Sequence, residues 1–310
     1  MTASAASKAV ATKAVAAKTV TAGPLSAAGP LGAAVTIDSA ALQGRLSYQL
    51  REGANPLILL RRVAFLDSSG NLDSDAEKAL LGWAEGHRLG QEAVLLGQAQ
   101  ARRERAIAAL TADQAQRAVR LLVRPMWRLA VGIGNRANPY EIGLALHGTY
   151  GCPVIPASTI KGAASAFAWS TEPTGDDLAK YHRVFGLPRA GRAAAKADKG
   201  TVCFLDALPH GGPVNVRRDV VTPHVQPYYR ERDRLPPAEY HQPIPADFLT
   251  IGGGAFAIDL VGPEKDVTAA AAWCAQAVDE LGLGGKTSAG YGYLTAERED
   301  LTAGREDGEP

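Results

Sequence analysis

A glycine-rich loop near the C-terminus carries the residue types best suited to holding an anion. It covers residues 281–293, LGLGGKTSAGYGY, in which a lysine and two hydroxyl residues stand among five glycines. Glycine lacks a Cβ, so its amide can point at a ligand and a positive φ costs little. Successive amides in such turns form concavities that bind anions. The loop residues expected to contact such a ligand are Gly284, Gly285, Lys286, Thr287, Ser288, Gly290 and Tyr291.

Part of this loop imitates the phosphate-binding loop of nucleotide hydrolases. Gly285-Lys286-Thr287 matches the end of the pattern G-x-x-x-x-G-K-[ST], but the position of its first glycine holds Glu280. The context is also reversed, because a helical pattern precedes the loop and the alternating Tyr291 and Tyr293 predict a strand after it. A nucleotide-binding enzyme is therefore only an alternative, which measurable ATP binding would revive.

A second candidate site lies at a predicted helix start. Two prolines, Pro153 and Pro156, favour an extended approach, and Ser158 is predicted to be the N-cap of the helix that follows. Lys161 would lie in the first turn, where a positive charge opposes the helix dipole. A bound anion would remove that conflict, so Ser158, Lys161 and Gly162 are predicted to bind the same ligand. The alternative for Lys161 is a solvated surface lysine.

A basic segment between predicted elements is the third candidate. Residues 189–200 contain Arg189, Arg192, Lys196 and Lys199 against one acidic residue, Asp198. Such a segment can follow a phosphate backbone, or it can be a mobile loop that aids solubility.

Catalytic and metal chemistry find little support in the sequence. The histidines show no metal-ligand spacing, so neither a metal nor another cofactor is predicted. His147, beside Thr149 and Tyr150, is the one candidate general base for metal-free cleavage at a 2′-hydroxyl. The alternative is a histidine that is hydrogen-bonded within a turn. We predict no catalytic residue.

The periodicity of the chain predicts an α+β protein. Residues 1–34 read as a disordered Ala/Lys-rich tail, with a transit peptide as the alternative, and residues 297–310 as a flexible acidic tail. Residues 35–123 are predicted to be mainly helical, with helices starting at Ser74 and Thr111. Residues 124–296 follow the order strand, helix, strand, strand, helix, strand of a ferredoxin-like core. Two insertions, near 189–200 and 208–246, interrupt this core.

Composition adds only broad limits. The 310 residues carry a net charge of +1, so overall charge indicates no partner. No apolar run is long enough to span a membrane. Three scattered cysteines argue against disulfides and fit a reducing, cytoplasmic location.

Several motifs together resemble the RAMP superfamily of CRISPR proteins, and in particular the terminal RAMP subunits of type III-B effector complexes. The motifs that carry this resemblance are GIGN (132–135), NPYEIGL (138–144), HGTYG (147–151), PVIPASTIKG (153–162), DVVTPH (219–224) and GGKTSAGYG (284–292).

The resemblance implies a ferredoxin-like, RNA-recognition-type fold. It implies a non-catalytic subunit that holds CRISPR RNA near its 3′ end and caps the backbone filament of the complex. The implied partners are CRISPR RNA, target RNA, other RAMP subunits and a small helical subunit. Tyr291 or Tyr293 could then stack on a base, with strand packing as the alternative for whichever ring faces inward. A metal-independent RAMP endoribonuclease that uses His147 is the alternative function.

Overall fold

The structure is a computed structural model, and it describes residues 35–36, 55–64, 74–86, 88–112, 115–133, 143–187, 199–222, 236, 243 and 245–302. The helices of these residues are α1 Pro56–Arg62, α2 Ser74–Gly86, α3 Ala93–Leu110, α4 Ala157–Ser170, α5 Gly175–Phe185 and α6 Glu264–Glu280. The strands are β1 Val35–Thr36, β2 Val63–Ala64, β3 Arg117–Pro125, β4 Cys203–Phe204, β5 Leu208–His210, β6 Val216–Val221, β7 Ala246–Ile251, β8 Ala255–Gly262 and β9 Leu294–Asp300.

A five-stranded antiparallel sheet organises this mixed α/β structure. Its strands follow the order β4–β8–β3–β9, and β5 also pairs with β8. On one face, apolar residues of β3 lie directly opposite apolar residues of β8 in the pairs Val119–Leu260, Leu121–Ile258 and Val123–Phe256. These side chains belong to the main hydrophobic core, which α4 and α6 complete from above.

One apolar face of helix α6 packs on this core. Val267, Ala271, Cys274 and Val278 recur at helical spacing in the sequence, and all four are buried. Leu281, the last member of that pattern, is 39% exposed because α6 ends one residue before it.

Strand β3 corrects the sequence interpretation. A helix from Thr111 in the mainly helical region 35–123, with the first core strand only after residue 123, was predicted, yet residues 117–125 are a central strand. The residues from Ala118 to Val123 are all buried, because β3 is covered on both faces, so the alternation that marks a half-exposed strand is missing. The predicted boundary between residues 123 and 124 therefore cuts through the sheet.

The second face of the sheet is closed by α3. Ile107 of α3 packs on Ala118 and Val261. Next along this face, the Arg120 guanidinium donates to the Asp259 carboxylate with an Nε–Oδ1 distance of 2.7 Å, and both side chains are buried. Arg103 of α3 approaches the same carboxylate at 4.0 Å. A buried charge pair is thus shielded from solvent by a helix.

Two further predicted boundaries differ from the structure. The segment 208–246 was predicted to be an insertion, but it contributes β5 to the central sheet and β6 to a two-stranded ribbon with β7. The predicted acidic tail begins inside β9, which pairs with β3 as far as Asp300. Its charged residues on β9 are exposed or half-buried on an edge strand, where charge opposes unwanted strand pairing. Residues 1–34 and 303–310 lie outside the described residues.

Replacing Asp259 with alanine should strongly destabilise the protein. The change leaves Arg120 buried without its partner, which costs about 3–5 kcal/mol. The measurement is the free energy of unfolding in urea. The control is the double variant Arg120→Leu/Asp259→Leu, which removes both charges and should recover most of that loss. A double variant as unstable as the single one would contradict this account.

Candidate nucleic-acid interface

The glycine loop is attached to the backbone that continues β3. It follows α6, and the Gly285 amide donates to the Ala130 carbonyl at 2.8 Å while the Gly292 amide donates to the Arg128 carbonyl at 2.7 Å. Within the loop, the Leu283 amide donates to the Gly292 carbonyl at 2.8 Å. The loop therefore has a fixed shape, set by main-chain bonds at both ends.

Two of its glycines are required by this geometry. Gly284 has a φ of 84° and Gly292 a φ of 83°, which is the left-handed region that side chains rarely adopt. A Cβ on Gly284 would overlap the Ala130 carbonyl, and one on Gly292 would overlap the Leu283 carbonyl. The positive φ expected of the loop glycines is confirmed at both positions, but their close approach is to the protein backbone and not to a ligand.

The exposed tip of the loop has the form of an anion-binding concavity. Lys286 adopts a left-handed conformation with a φ of 60°, and a short 3-10 turn, Thr287–Ala289, follows. The amides of Lys286, Thr287 and Ser288 donate to no other residue in the described part of the chain. A left-handed residue before a right-handed turn directs successive amides to one side. Two hydroxyls and an ammonium group flank these free donors.

Tyr291 faces inward. Its ring is 8% exposed and packs against Trp127 and Phe248, with centroid distances of 4.9 and 5.8 Å. Its hydroxyl donates to the Asp219 carboxylate at 2.9 Å, and the Arg128 guanidinium holds the same carboxylate at 3.0 Å. Burial, followed by the hydrogen bond to Asp219, raises the pKa of the Tyr291 phenol. The packing alternative therefore applies to this tyrosine, and its ring is not available to a base.

The start of α4 differs from its prediction in one respect. The helix begins at Ala157, so Ser158 lies inside it and makes no capping hydrogen bond. The cap is Asp206, whose Oδ1 accepts from the Ala157 amide at 2.7 Å. A bound anion was expected at this helix start, to balance the positive end of the helix dipole. The Asp206 carboxylate supplies that negative charge instead. No sequence pattern announces a cap that lies 49 residues away.

A cleft of about 400 Å³ opens beside this helix start. Ser158, Lys161 and Lys199 line it, with the Lys161 ammonium 6.0 Å from the centroid of the Phe204 ring. Gly162 is exposed on α4. Arg189 and Arg192 lie outside the described residues. The cleft thus retains two cations for an anionic ligand although its helix is already capped.

The two basic clusters, Lys286 at the tip of the glycine loop and Lys161 with Lys199 in the cleft, lie towards opposite ends of the sheet. Phe204, beside the cleft, pairs with Leu260 of β8. The glycine loop leads into β9 at Leu294, which lies opposite Pro125 of β3. Pro125 is two residues beyond Val123, which pairs with Phe256 of β8. Leu260 and Phe256 are four residues apart, or about 13 Å at 3.3 Å per residue. One small anion cannot bridge that distance, whereas an extended polymer can.

His147 occupies a structural turn. Its Nδ1 accepts from the amides of Thr149 and Tyr150 at 3.2 and 3.3 Å, and its ring stacks on Tyr150 at 4.6 Å. Asn55, which sequence analysis missed, donates to the Gly148 carbonyl at 3.0 Å and braces the same turn. Burial lowers the pKa of His147. With Nδ1 accepting, the neutral ring carries its proton on Nε2, so it has no free lone pair to act as a base.

The two buried cysteines are not reactive thiols. Burial raises the pKa of both Cys152 and Cys274 to about 12, so neither is a thiolate at neutral pH. Among the residues that the structure describes, no cluster of three or more His, Cys, Asp or Glu side chains could hold a metal ion. In the same residues, no helix is both long and apolar enough to cross a membrane.

Comparison with known proteins identifies the family. A sequence model described as the RAMP superfamily matches residues 125–295, which is more than half of the chain. The chain belongs to the RAMP superfamily. The matched segment holds the glycine loop, the cleft and the His147 turn, whereas most of β3 precedes it.

The similarity to individual RAMP proteins is low in sequence identity. The curated protein "CRISPR system Cmr subunit Cmr6" of Pyrococcus furiosus is 27% identical over 220 residues, covering 54% of this chain and 64% of the relative. The chain thus matches a little under two thirds of that protein. A chain in the "Cryo-EM structure of the Type III-B Cmr-beta bound to cognate target RNA" has a TM-score of 0.55 at 18% identity. That match covers 84% of this chain and 89% of the other, and it shows a shared fold.

Replacing Asp206 with alanine should destabilise the protein by about 0.5–2 kcal/mol, because α4 loses its N-terminal acceptor. The measurement is the free energy of unfolding in urea. Ser158→Ala is the matched control, and it should change that free energy by no more than about 0.5 kcal/mol. A larger loss of unfolding free energy in Ser158→Ala than in Asp206→Ala would instead identify Ser158 as the cap.

His147 should make the protein less stable in mild acid. Its pKa is lower in the folded state than the usual 6.5 of the unfolded chain. Its stabilising contribution is therefore complete above pH 6.5 and is lost as the pH falls towards the folded pKa. In His147→Asn the amide oxygen can still accept the backbone bonds but does not titrate. The unfolding free energy of this variant should fall less steeply between about pH 7.5 and 5. An identical pH dependence in both proteins would contradict the assignment.

Proposed function

We propose that this chain is the non-catalytic, RNA-binding terminal subunit of a type III-B CRISPR effector complex. In that role it holds CRISPR RNA near its 3′ end and caps the backbone filament for RNA-guided antiviral defence. Its proposed partners are CRISPR RNA, target RNA, neighbouring RAMP subunits and the small helical subunit, and its proposed location is the cytoplasm.

The free amides at the tip of the glycine loop carry this proposal. Three successive N–H groups, beside Lys286 and the hydroxyls of Thr287 and Ser288, suit a phosphate and read no base. The order helix, loop, strand differs from that of nucleotide hydrolases, which favours a structural phosphate over one that is cleaved.

The second basic cluster favours a polymer over a mononucleotide. Lys161 and Lys199 lie towards the far end of the sheet from Lys286, so that two separate phosphates of one extended strand could contact the two clusters. The known relatives point the same way, since the curated one is named as a Cmr subunit and the structural one belongs to a complex with target RNA.

The topology supports a ferredoxin-like core within this proposal. Along the chain, the first core strand is β3, the second is β4 together with β5, the third is β8 and the fourth is β9. Across the sheet these four follow the order 2-3-1-4. Helix α4 falls between the first and second strands and α6 between the third and fourth, as in a split βαβ fold. Helices α2 and α3 form the helical N-terminal extension.

The proposal that the subunit is non-catalytic rests on His147. Its Nδ1 already accepts two backbone amides, so the alternative of metal-independent cleavage lacks a base at this position. Incubation with labelled guide precursor tests the point. Metal-independent cleavage that disappears in His147→Ala would replace the binding role with an endoribonuclease.

Lys286→Ala and Lys161→Ala should each weaken binding of single-stranded RNA without changing sequence preference. Each loses one phosphate contact, so the slope of log K against log salt should become shallower by roughly 0.7. The measurement is a salt titration of RNA affinity. Lys180→Ala is the matched control, because that lysine pairs with Asp177 on α5 and belongs to neither cluster. An unchanged slope in both cluster variants would remove the phosphate role.

A further inference from the structure

We infer that Trp127 is the residue on which a base of the bound RNA stacks, beside the phosphate held by the glycine loop. This inference rests on the proposed function and assigns a further contact to the same site. The indole is 53% exposed although tryptophan is ordinarily well buried. Aromatic faces bind bases of single-stranded RNA without regard to sequence, as a backbone-holding subunit requires.

The indole is fixed in place before any RNA arrives. It contacts the buried ring of Tyr291 at 4.9 Å, and Tyr291 is anchored through Asp219 to Arg128. The main chain on both sides is bound as well, since the Met126 amide donates to the Tyr293 carbonyl at 3.0 Å and the Arg128 carbonyl accepts from Gly292. Little side-chain freedom is therefore left to lose on binding, which favours affinity.

A cationic side chain lies at each end of the aromatic cluster, and the one at the Trp127 end, Arg128, is paired with Asp219. The Arg128 guanidinium lies 5.6 Å from the Trp127 ring, and the Lys286 ammonium lies 5.5 Å from the Phe248 ring. Phe248 in turn contacts Tyr291, so an unbroken aromatic row joins the exposed indole to the lysine of the loop. A nucleotide presents the matching pair of groups, an anion and a flat base. A purely apolar protein partner would leave the Lys286 ammonium without an anion.

Affinity and salt dependence together test the assignment in the full-length protein. The probe is a single-stranded oligouridylate of about 12 nucleotides, within the range that such sites cover. Trp127→Ala should weaken binding by about 5- to 150-fold, the range expected for one stacked base. Its salt slope should stay at the wild-type value, because no phosphate contact is lost. Trp169→Ala is the matched control, since that indole is 56% exposed on α4, and it should leave the affinity unchanged.

Fluorescence supplies an independent readout. The chain has four tryptophans, and RNA should quench the emission of the wild type and of Trp169→Phe. Trp127→Phe should keep most of the affinity and lose most of the quenching. Unchanged affinity in Trp127→Ala, or quenching that persists in Trp127→Phe, would overturn the inference. If Trp127→Ala instead loses only association with other subunits, the indole is a protein contact. A wild type without salt-dependent RNA binding would refute the proposed function itself.

Discussion

Strand β3 is buried on both faces, and the positions of the surrounding elements depend on this burial. One face of this strand packs under α4 and α6, and the other carries Arg120 against Asp259 beneath α3. Because β3 is locked between β8 and β9, the backbone that leaves it at Met126 emerges at a fixed place. The glycine loop then bonds to residues 128 and 130 of that backbone. The packing of the central strand therefore determines where the tip of the glycine loop lies.

The same constraint explains where sequence reasoning succeeded and where it failed. The amphipathic helix α6 and the glycine turn at 284–292 were predictable, since each depends on local periodicity or on a local positive φ. Strand β3 was misread because a strand covered on both sides loses its alternating pattern and resembles an apolar helix. Asp206 as the cap of α4 and Asn55 as the brace of the His147 turn were missed because each acts through a tertiary contact. Such contacts leave no mark at fixed sequence spacing.

The covered face of the sheet also determines how a nucleic acid can approach. In an open RNA-recognition sheet, bases lie across exposed strands. Here α3 occupies that surface, and β9 places Glu297 and Glu299 beside Leu122 and Arg120 on the same side. These carboxylates repel phosphate. The proposed contacts consequently lie beyond the strands, in the glycine loop and beside the start of α4. Two local basic clusters are compatible with a net charge of +1 for the whole chain.

The cap on α4 has a consequence for the order in which the protein folds. Ala157 and Asp206 are 49 residues apart, so the helix gains its N-terminal acceptor only after the intervening chain has closed on itself. Closing a loop of that length costs entropy before any contact repays it. We therefore expect α4 to fray at its first turn until β4 and β5 have joined β8. The cleft beside Lys161 would then be among the last features of the molecule to take shape.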